Sequence, residues 1–290
     1  MTLKYINKIK ANVSIFTNKK STNILDGTYR SIYKGKSLNF DNLRDYVIGD
    51  DVKDVDWKSS ARSGKLLVKQ FVADKKHNIL LVMDNGIKMD ADTDKHENKK
   101  SVALFSAGTV GYLALQNNDY AGMIYSSNNK VVFNNFRSNI YNLEEYLLNF
   151  ESASYEGALN LNDVLRYVYK NISKKMIIFV ITDIDGINNI DTRILKQLKQ
   201  MNEVLFININ DNYMYGESIF DVSKDSYIPS FLSNDVELNN LEKNIKSDLI
   251  KENTLKLKRY NISMTSISSV LDINNSIIDL LEEHKNAGRN

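Results

Sequence analysis

Three apolar runs, each about one strand long, constrain this chain most: NILLVM (78–83), MIIFVI (176–181) and EVLFINI (203–209). Alternation of apolar and polar residues would mark a strand with one wet face. Unbroken runs mark strands buried on both faces, which is how parallel sheets are built. Between them lie segments of helical spacing: 97–118, 139–150, 160–172 and 191–201. Two further helices are expected at 237–260 and 273–285, with a last strand, NISMTSI, between them. YAGMIYSS and KVVFNNF flank Asn128-Asn129, a dipeptide suited to a hairpin turn. The pattern predicts an α/β fold with a mostly parallel sheet and helices on both faces.

In such sheets ligands sit beyond the carboxyl ends of the strands. Asp84 and Asp183 each follow a buried strand directly, so the fold can bring both carboxylates to one place. The N-terminal part reads differently. Residues 1–25 suggest a short amphipathic helix and a polar segment, and 27–64 are rich in Gly, Asp, Arg and aromatics with weak periodicity. KLLVKQFV (65–72) is strand-like. We divide the chain into an N-terminal segment with a small β-rich module, 1–77, and an α/β domain, 78–290.

Composition removes several function classes. There are 38 Lys and Arg against 36 Asp and Glu, a formal charge of +2, so nothing drives the chain as a whole towards nucleic acid. The basic and aromatic residues around Arg30, Lys34, Lys36 and Tyr33 match no nucleic-acid module. Without cysteine there is no disulfide, thiolate metal site or cysteine nucleophile. The three histidines, His77, His96 and His284, share no metal-ligand spacing. No window approaches the roughly 18–20 apolar residues of a membrane span, and the N-terminus lacks the apolar core of a signal peptide. The expectation is a cytoplasmic protein. DADTDKHE (90–97) imitates a calcium loop, but Lys95 stands where that loop needs glycine, so it reads as an acidic solvated loop. No Gly-x-x-x-x-Gly-Lys phosphate loop and no Gly-x-Ser-x-Gly elbow is present.

One stretch carries a resemblance. In LRDYVIGDDVKDVDWKSSARSGKLLVKQF (43–71), Arg44, Tyr46, Gly49-Asp50-Asp51, Asp56-Trp57 and Ser60-Ala61-Arg62 follow one another in an order that resembles a bacterial signature. It is that of the MoxR-associated domain-of-unknown-function family, whose members carry a von Willebrand factor A-like domain. GTYRSIYKGKSLNF (27–40) is similar to the run that opens the family pattern. For Asp56, Trp57 and Arg62 two roles are open. They form a partner-facing patch, or they form a structural knot in which Arg62 pairs with a buried aspartate and Trp57 packs the module onto the sheet. A lone Trp favours the knot.

The resemblance implies a von Willebrand A-like fold whose loops normally hold a Mg²⁺ ion through two aspartates and three hydroxyls. Asp84 and Asp183 match the aspartates, with Asp185 nearby. Gly86, Lys88 and Ala158 stand where the hydroxyls belong. Magnesium needs a near-octahedral set of oxygens, so the resemblance implies a degenerate site and no cofactor. Two readings of Lys88 stay open: its ammonium replaces the ion beside Asp84 and Asp183, or it is a solvated loop lysine. The function implied is a non-enzymatic partner of a MoxR-type AAA+ ATPase in chaperone-like maturation or stress tolerance, docking through the rim around Asp84, Ala158 and Asp183. The alternatives are a Mg²⁺-dependent adhesion module and a phosphoryl-transfer enzyme using Asp84. The second lacks the acid usual two residues on, where Gly86 stands.

Overall fold

A computed structural model describes residues 3–19, 40–71, 76–155, 159–213 and 235–287, with short pieces at 26, 28–29, 220–221, 226–228 and 233. Its centre is a six-stranded sheet. β3 (Asn78–Met83), β4 (Tyr120–Ser127), β6 (Ile177–Thr182), β7 (Glu203–Ile209) and β10 (Ser263–Ile267) run parallel, and β5 (Lys130–Arg137) closes one edge antiparallel to β4. The order is β10-β7-β6-β3-β4-β5. The chain leaves β3 towards β4 and β5, then returns to the other side of β3 with β6. The strand order therefore reverses between β3 and β6, at the point where open α/β sheets bind ligands.

Period-two geometry splits each central strand between two cores. Ile79, Leu81 and Met83 face one helical layer, and Leu80 and Val82 the other, all buried. The first layer holds α3 (Lys99–Gln116), α4 (Ile140–Glu151) and α9 (Ile273–Ala287), and the second holds α5 (Leu161–Asn171), α7 (Thr192–Met201) and the end of α8 (Val236–Lys258). Both faces are covered, as unbroken apolar strands require. Asn98 and Asn160 cap α3 and α5, accepting from Ser101 N and Asp163 N at 3.0 Å each. Asn128 and Asn129 both have positive φ, 49° and 58°, the backbone of a tight hairpin turn.

The helix α1 (Lys4–Lys19), part of the 1–77 segment, packs into the first core of the 78–290 domain. Ile9 fills the space above Gly108, where an added Cβ would lie 2.4 Å from Ile9 Cδ1. Tyr5 meets Phe105 edge to face at 5.5 Å. The buried carboxylate of Glu144 receives Tyr5 N and Ile6 N, the latter at 2.8 Å, and so satisfies two open donors of the α1 N-terminus.

The small module consists of β1 (Phe40–Asp45) and β2 (Leu67–Phe71), paired antiparallel, with α2 (Trp57–Ser63) between them. The helix α2 stands in a stretch where the sequence shows only weak periodicity. The short ladder of β8 (Phe220–Asp221) and β9 (Ser226–Tyr227) lies between β7 and α8 in the chain. The 90–97 loop is more than solvated. The Glu97 carboxylate receives Ser269 Oγ at 2.5 Å and Val270 N at 2.9 Å, which ties this loop to the end of β10.

Candidate functional site

β3 and β6 are neighbours in register, Met83 opposite Ile181, so the residues after them arrive together. Asp84 N donates to Ile181 O at 3.0 Å. Both Asp84 carboxylate oxygens are occupied. Oδ1 accepts from Gly86 N at 2.9 Å, and Oδ2 accepts from Thr182 Oγ1 at 2.5 Å. Burial pushes the Asp84 carboxyl above the ordinary carboxylate range; the Thr182 hydroxyl opposes this, and the negative charge of Asp183 adds to it.

Asp183 is buried and caps α6 (Ile184–Asn188), its Oδ1 accepting from Gly186 N at 2.8 Å. Its Oδ2 accepts from the ammonium of Lys99 at 2.8 Å. Lys99 is wholly buried and also donates to Asp211, beyond the tip of β7. Burial alone would discharge such a lysine. The fields and hydrogen bonds of Asp183 and Asp211 outweigh it and hold Lys99 above the ordinary lysine value. Burial also raises the Asp211 carboxyl, against the opposing pull of Lys99. The tips of β6 and β7 thus bring two carboxylates onto one buried ammonium, while Asp84 at the tip of β3 is satisfied by Gly86 N and Thr182 Oγ1 and feels Lys99 only through its field.

The cation on Asp183 is therefore Lys99, not Lys88. Lys88 lies in a 3₁₀ turn on the outer side of the loop, more than half exposed, and pairs with Asp185 at the rim. That hydrogen bond, despite partial burial, raises the Lys88 ammonium above its ordinary value. Lys99 reaches the interior because it is the first residue of α3, directly above the strand ends. The sequence held a clue. A lysine in the first turn of a helix opposes the helix dipole, so it needs a compensating anion. EVLFININD also ends a buried strand in aspartate, by the same logic that singled out Asp84 and Asp183.

The glycines shape the site as much as the charges do. A Cβ on Gly186 would lie 1.9 Å from Thr182 Oγ1 and 3.0 Å from Asp84 Oδ2, so α6 sits down on the Asp84–Thr182 bond only because position 186 has no side chain. A Cβ on Gly86 would come within 3.2 Å of Asp84 Oδ1. Ala158 lies outside the described residues.

The residues present do not fit a magnesium ion. Gly86 offers no ligand oxygen, each oxygen of Asp84 and Asp183 already accepts a hydrogen bond, and an ammonium stands on Asp183. Among the described residues no group of three or more His, Asp or Glu is arranged to hold a metal.

The signature residues divide by role. Arg44 makes a bidentate pair with Asp50, at 2.7 and 2.6 Å, and Val47 N also donates to Asp50. The Arg44 guanidinium and the Val47 amide hold the Asp50 carboxyl down at about 2. Gly49 adopts φ 113°, a conformation side chains disfavour. Asp56 caps α2 through Ser59 N at 3.0 Å, and buried Ser60 receives Leu67 N at 2.8 Å. The favoured structural knot is not what forms. Trp57 is 63% exposed, and among the described residues no carboxylate pairs with Arg62, which is exposed. As the first residue of α2, Trp57 is turned outward, and the module is held by backbone pairing and by the Arg44–Asp50 pair instead.

Residues 42–214, more than half of the chain, match the family described as "Protein of unknown function DUF58". No curated protein matches the chain. Among solved structures, the conserved hypothetical protein BatB from Bacteroides thetaiotaomicron is 15% identical, with 74% of this chain and 100% of that one covered and a TM-score of 0.43. An aerotolerance-related membrane protein from Bacteroides fragilis NCTC 9343 is 15% identical, covering 71% and 99%, with a TM-score of 0.43. A von Willebrand factor type A protein from Catenulispora acidiphila is 8% identical, covering 73% and 43%, with a TM-score of 0.39.

Proposed function

The chain belongs to the DUF58 family, and from that premise we propose that it is a non-enzymatic interaction protein, a cytoplasmic accessory partner of a MoxR-type AAA+ ATPase. The supporting observation is the outward face of the signature module. Ile48 is 96% exposed, Val47 61%, Val52 59% and Trp57 63%, all within a dozen residues. The polar signature residues spend their hydrogen bonds holding that loop and helix in shape. A protein that uses its fixed charges to present apolar side chains to water is built to have them covered.

The Asp84–Asp183 rim, the docking surface implied by resemblance, is less suited to this. Asp183 is buried and fully engaged, so reversing its charge would disturb the sheet tips rather than a contact. The occupied oxygens of Asp84 also argue against its use as a phosphoryl acceptor. No helix among the described residues is long and apolar enough to cross a membrane.

The test is direct binding between the purified chain and the AAA+ ATPase encoded in the same genome. Ile48→Asp and Trp57→Ala are expected to weaken binding at least about tenfold, as loss of a buried aromatic or aliphatic anchor does, with unchanged thermal stability. No binding by the wild type, or equal binding by both variants, refutes the proposal.

A further inference from the structure

The outward face of the signature module is charged as well as apolar. Val68 of β2 pairs with Arg44 of β1 and also with Val55, so β2 has a neighbour on each edge. Tyr46 N donates to Leu66 O and Asp56 N to Leu67 O, both at 2.9 Å. The start of β2 therefore lies between the loop that carries Val47 and Ile48 and the start of α2, where Trp57 stands. Leu66 is exposed there too, so the apolar side chains at this end of the module are neighbours across three stretches of backbone.

The charges beside them are not balanced locally. From Trp57 to Phe71 the chain holds Lys58, Arg62, Lys65 and Lys69 and no acidic residue. Lys69 faces Asp56 at 3.8 Å. Lys58, Arg62 and Lys65 are exposed and, among the described residues, pair with no carboxylate. Lys58 and Arg62 are four apart on α2 and share one side of it. Lys65 follows the left-handed turn of Gly64 and adjoins Leu66. Three acids of the module are turned to its own groups: Asp50 to Arg44 and Val47 N, Asp51 to Lys53 N, and Asp56 to Ser59 N.

An apolar centre bordered by unpaired cations fits a surface of the opposite kind, apolar in the middle and acidic at the rim. An anionic bilayer fits less well. It attracts clusters of roughly 4–8 basic residues through one uniform field. Over 43–71, however, six basic residues stand against five acidic ones, and Asp45, Asp51 and Asp54 would meet the same field. A protein can place its carboxylates opposite Lys58, Arg62 and Lys65 alone.

We infer that the module docks on a partner protein at a site with an apolar centre for Ile48 and Trp57 and carboxylates that meet Lys58, Arg62 and Lys65. This rests on the interaction role proposed above and names the chemistry of the partner's side. Trp57 is the only tryptophan of the chain, so its emission reports on this face in the full-length protein. Calorimetry follows binding of the AAA+ ATPase. Trp57 emission follows binding of the peptide Ac-Glu-Ile-Leu-Glu-Glu-Leu-NH₂, its lysine counterpart, and phosphatidylglycerol vesicles. Lys58→Glu/Arg62→Glu, folded by its melting temperature, is expected to bind the ATPase at least about tenfold more weakly, and to exchange preference for the acidic peptide for preference for the lysine one. Charge-dependent binding of the ATPase carries the inference whether or not so short a peptide binds. ATPase binding that Ile48→Asp weakens and the charge reversal leaves intact overturns the inference and leaves the interaction role standing. Charge-dependent binding of the acidic peptide without ATPase binding does the reverse. No charge-dependent binding of either protein probe overturns the inference, and a shift with the vesicles in that case assigns the face to a membrane.

Discussion

Replacing Lys99 by methionine nearly preserves side-chain length and deletes the charge. Asp183 Oδ2 loses its donor at 2.8 Å, and Asp211 loses its partner as well. The variant then holds Asp84, Asp183 and Asp211 at adjacent strand tips with no buried cation. Breaking a buried ion pair from one side costs about 3–5 kcal/mol, because the orphaned charge stays behind. Asp211 keeps 22% of its side chain exposed, so water recovers part of this, and the lower end, about 3 kcal/mol, is the working figure. For a domain of this size about 2–4 °C is lost per kcal/mol, so the melting temperature should fall by about 6–12 °C. The pH dependence has a definite sign. Without Lys99 the carboxyls of Asp84 and Asp211, already raised by burial, rise further above their unfolded values, and such groups favour the fold only while protonated. The deficit should be largest near neutral pH and shrink as pH falls through the raised values. Circular-dichroism melts at two pH values measure both. Lys99→Met/Asp211→Asn should regain part of the loss. A fall equivalent to less than about 1 kcal/mol, or one independent of pH, would refute the counterion reasoning.

Gly186→Ala should destabilise by about 1–3 kcal/mol, because its Cβ would collide with Thr182 Oγ1; a melting temperature within 1 °C of wild type would show that α6 can lift off without cost. Asp84→Asn should gain stability relative to wild type as pH rises, since the raised carboxyl of Asp84 penalises the fold only once ionised; melts between about pH 4 and 8 showing the opposite slope would contradict the burial argument. Trp57→Ala should change stability by no more than about 0.5 kcal/mol, as expected for an exposed side chain; a loss above about 2 kcal/mol in a urea titration would restore the structural role first favoured for it.

The sheet was legible because its strands are unbroken apolar runs, and nothing but a doubly covered parallel sheet accommodates NILLVM and MIIFVI side by side. The convergence of Asp84 and Asp183 followed from the same runs, since a strand's last residue fixes where the next side chain stands. The identity of the cation did not follow. Lys88 is near in sequence, but the turn over 87–90 carries it to the rim, whereas Lys99 is brought in by the start of α3, fifteen residues from Asp84 and eighty-four from Asp183. Spacing along the chain shows neighbours on one loop, and only topology shows neighbours across three strand tips. Trp57 departs from the usual burial of tryptophan for a related reason. Tryptophan is usually buried, but the first residue of a seven-residue helix capped by Asp56 has few neighbours to be buried against. The docking of α1 through Glu144 left no local trace, because the anion and the helix end it caps are 138 and 139 residues apart.

Lys99, rather than a divalent ion, is expected to be the cation that serves Asp183 and Asp211 beside Asp84. Calorimetric titration of the wild-type chain with Mn²⁺, run beside Asp84→Ala, is the deciding measurement. The expected result is no saturable binding to either protein in the micromolar range. Micromolar binding by the wild type that disappears in Asp84→Ala would place the ion back in the site and contradict the claim.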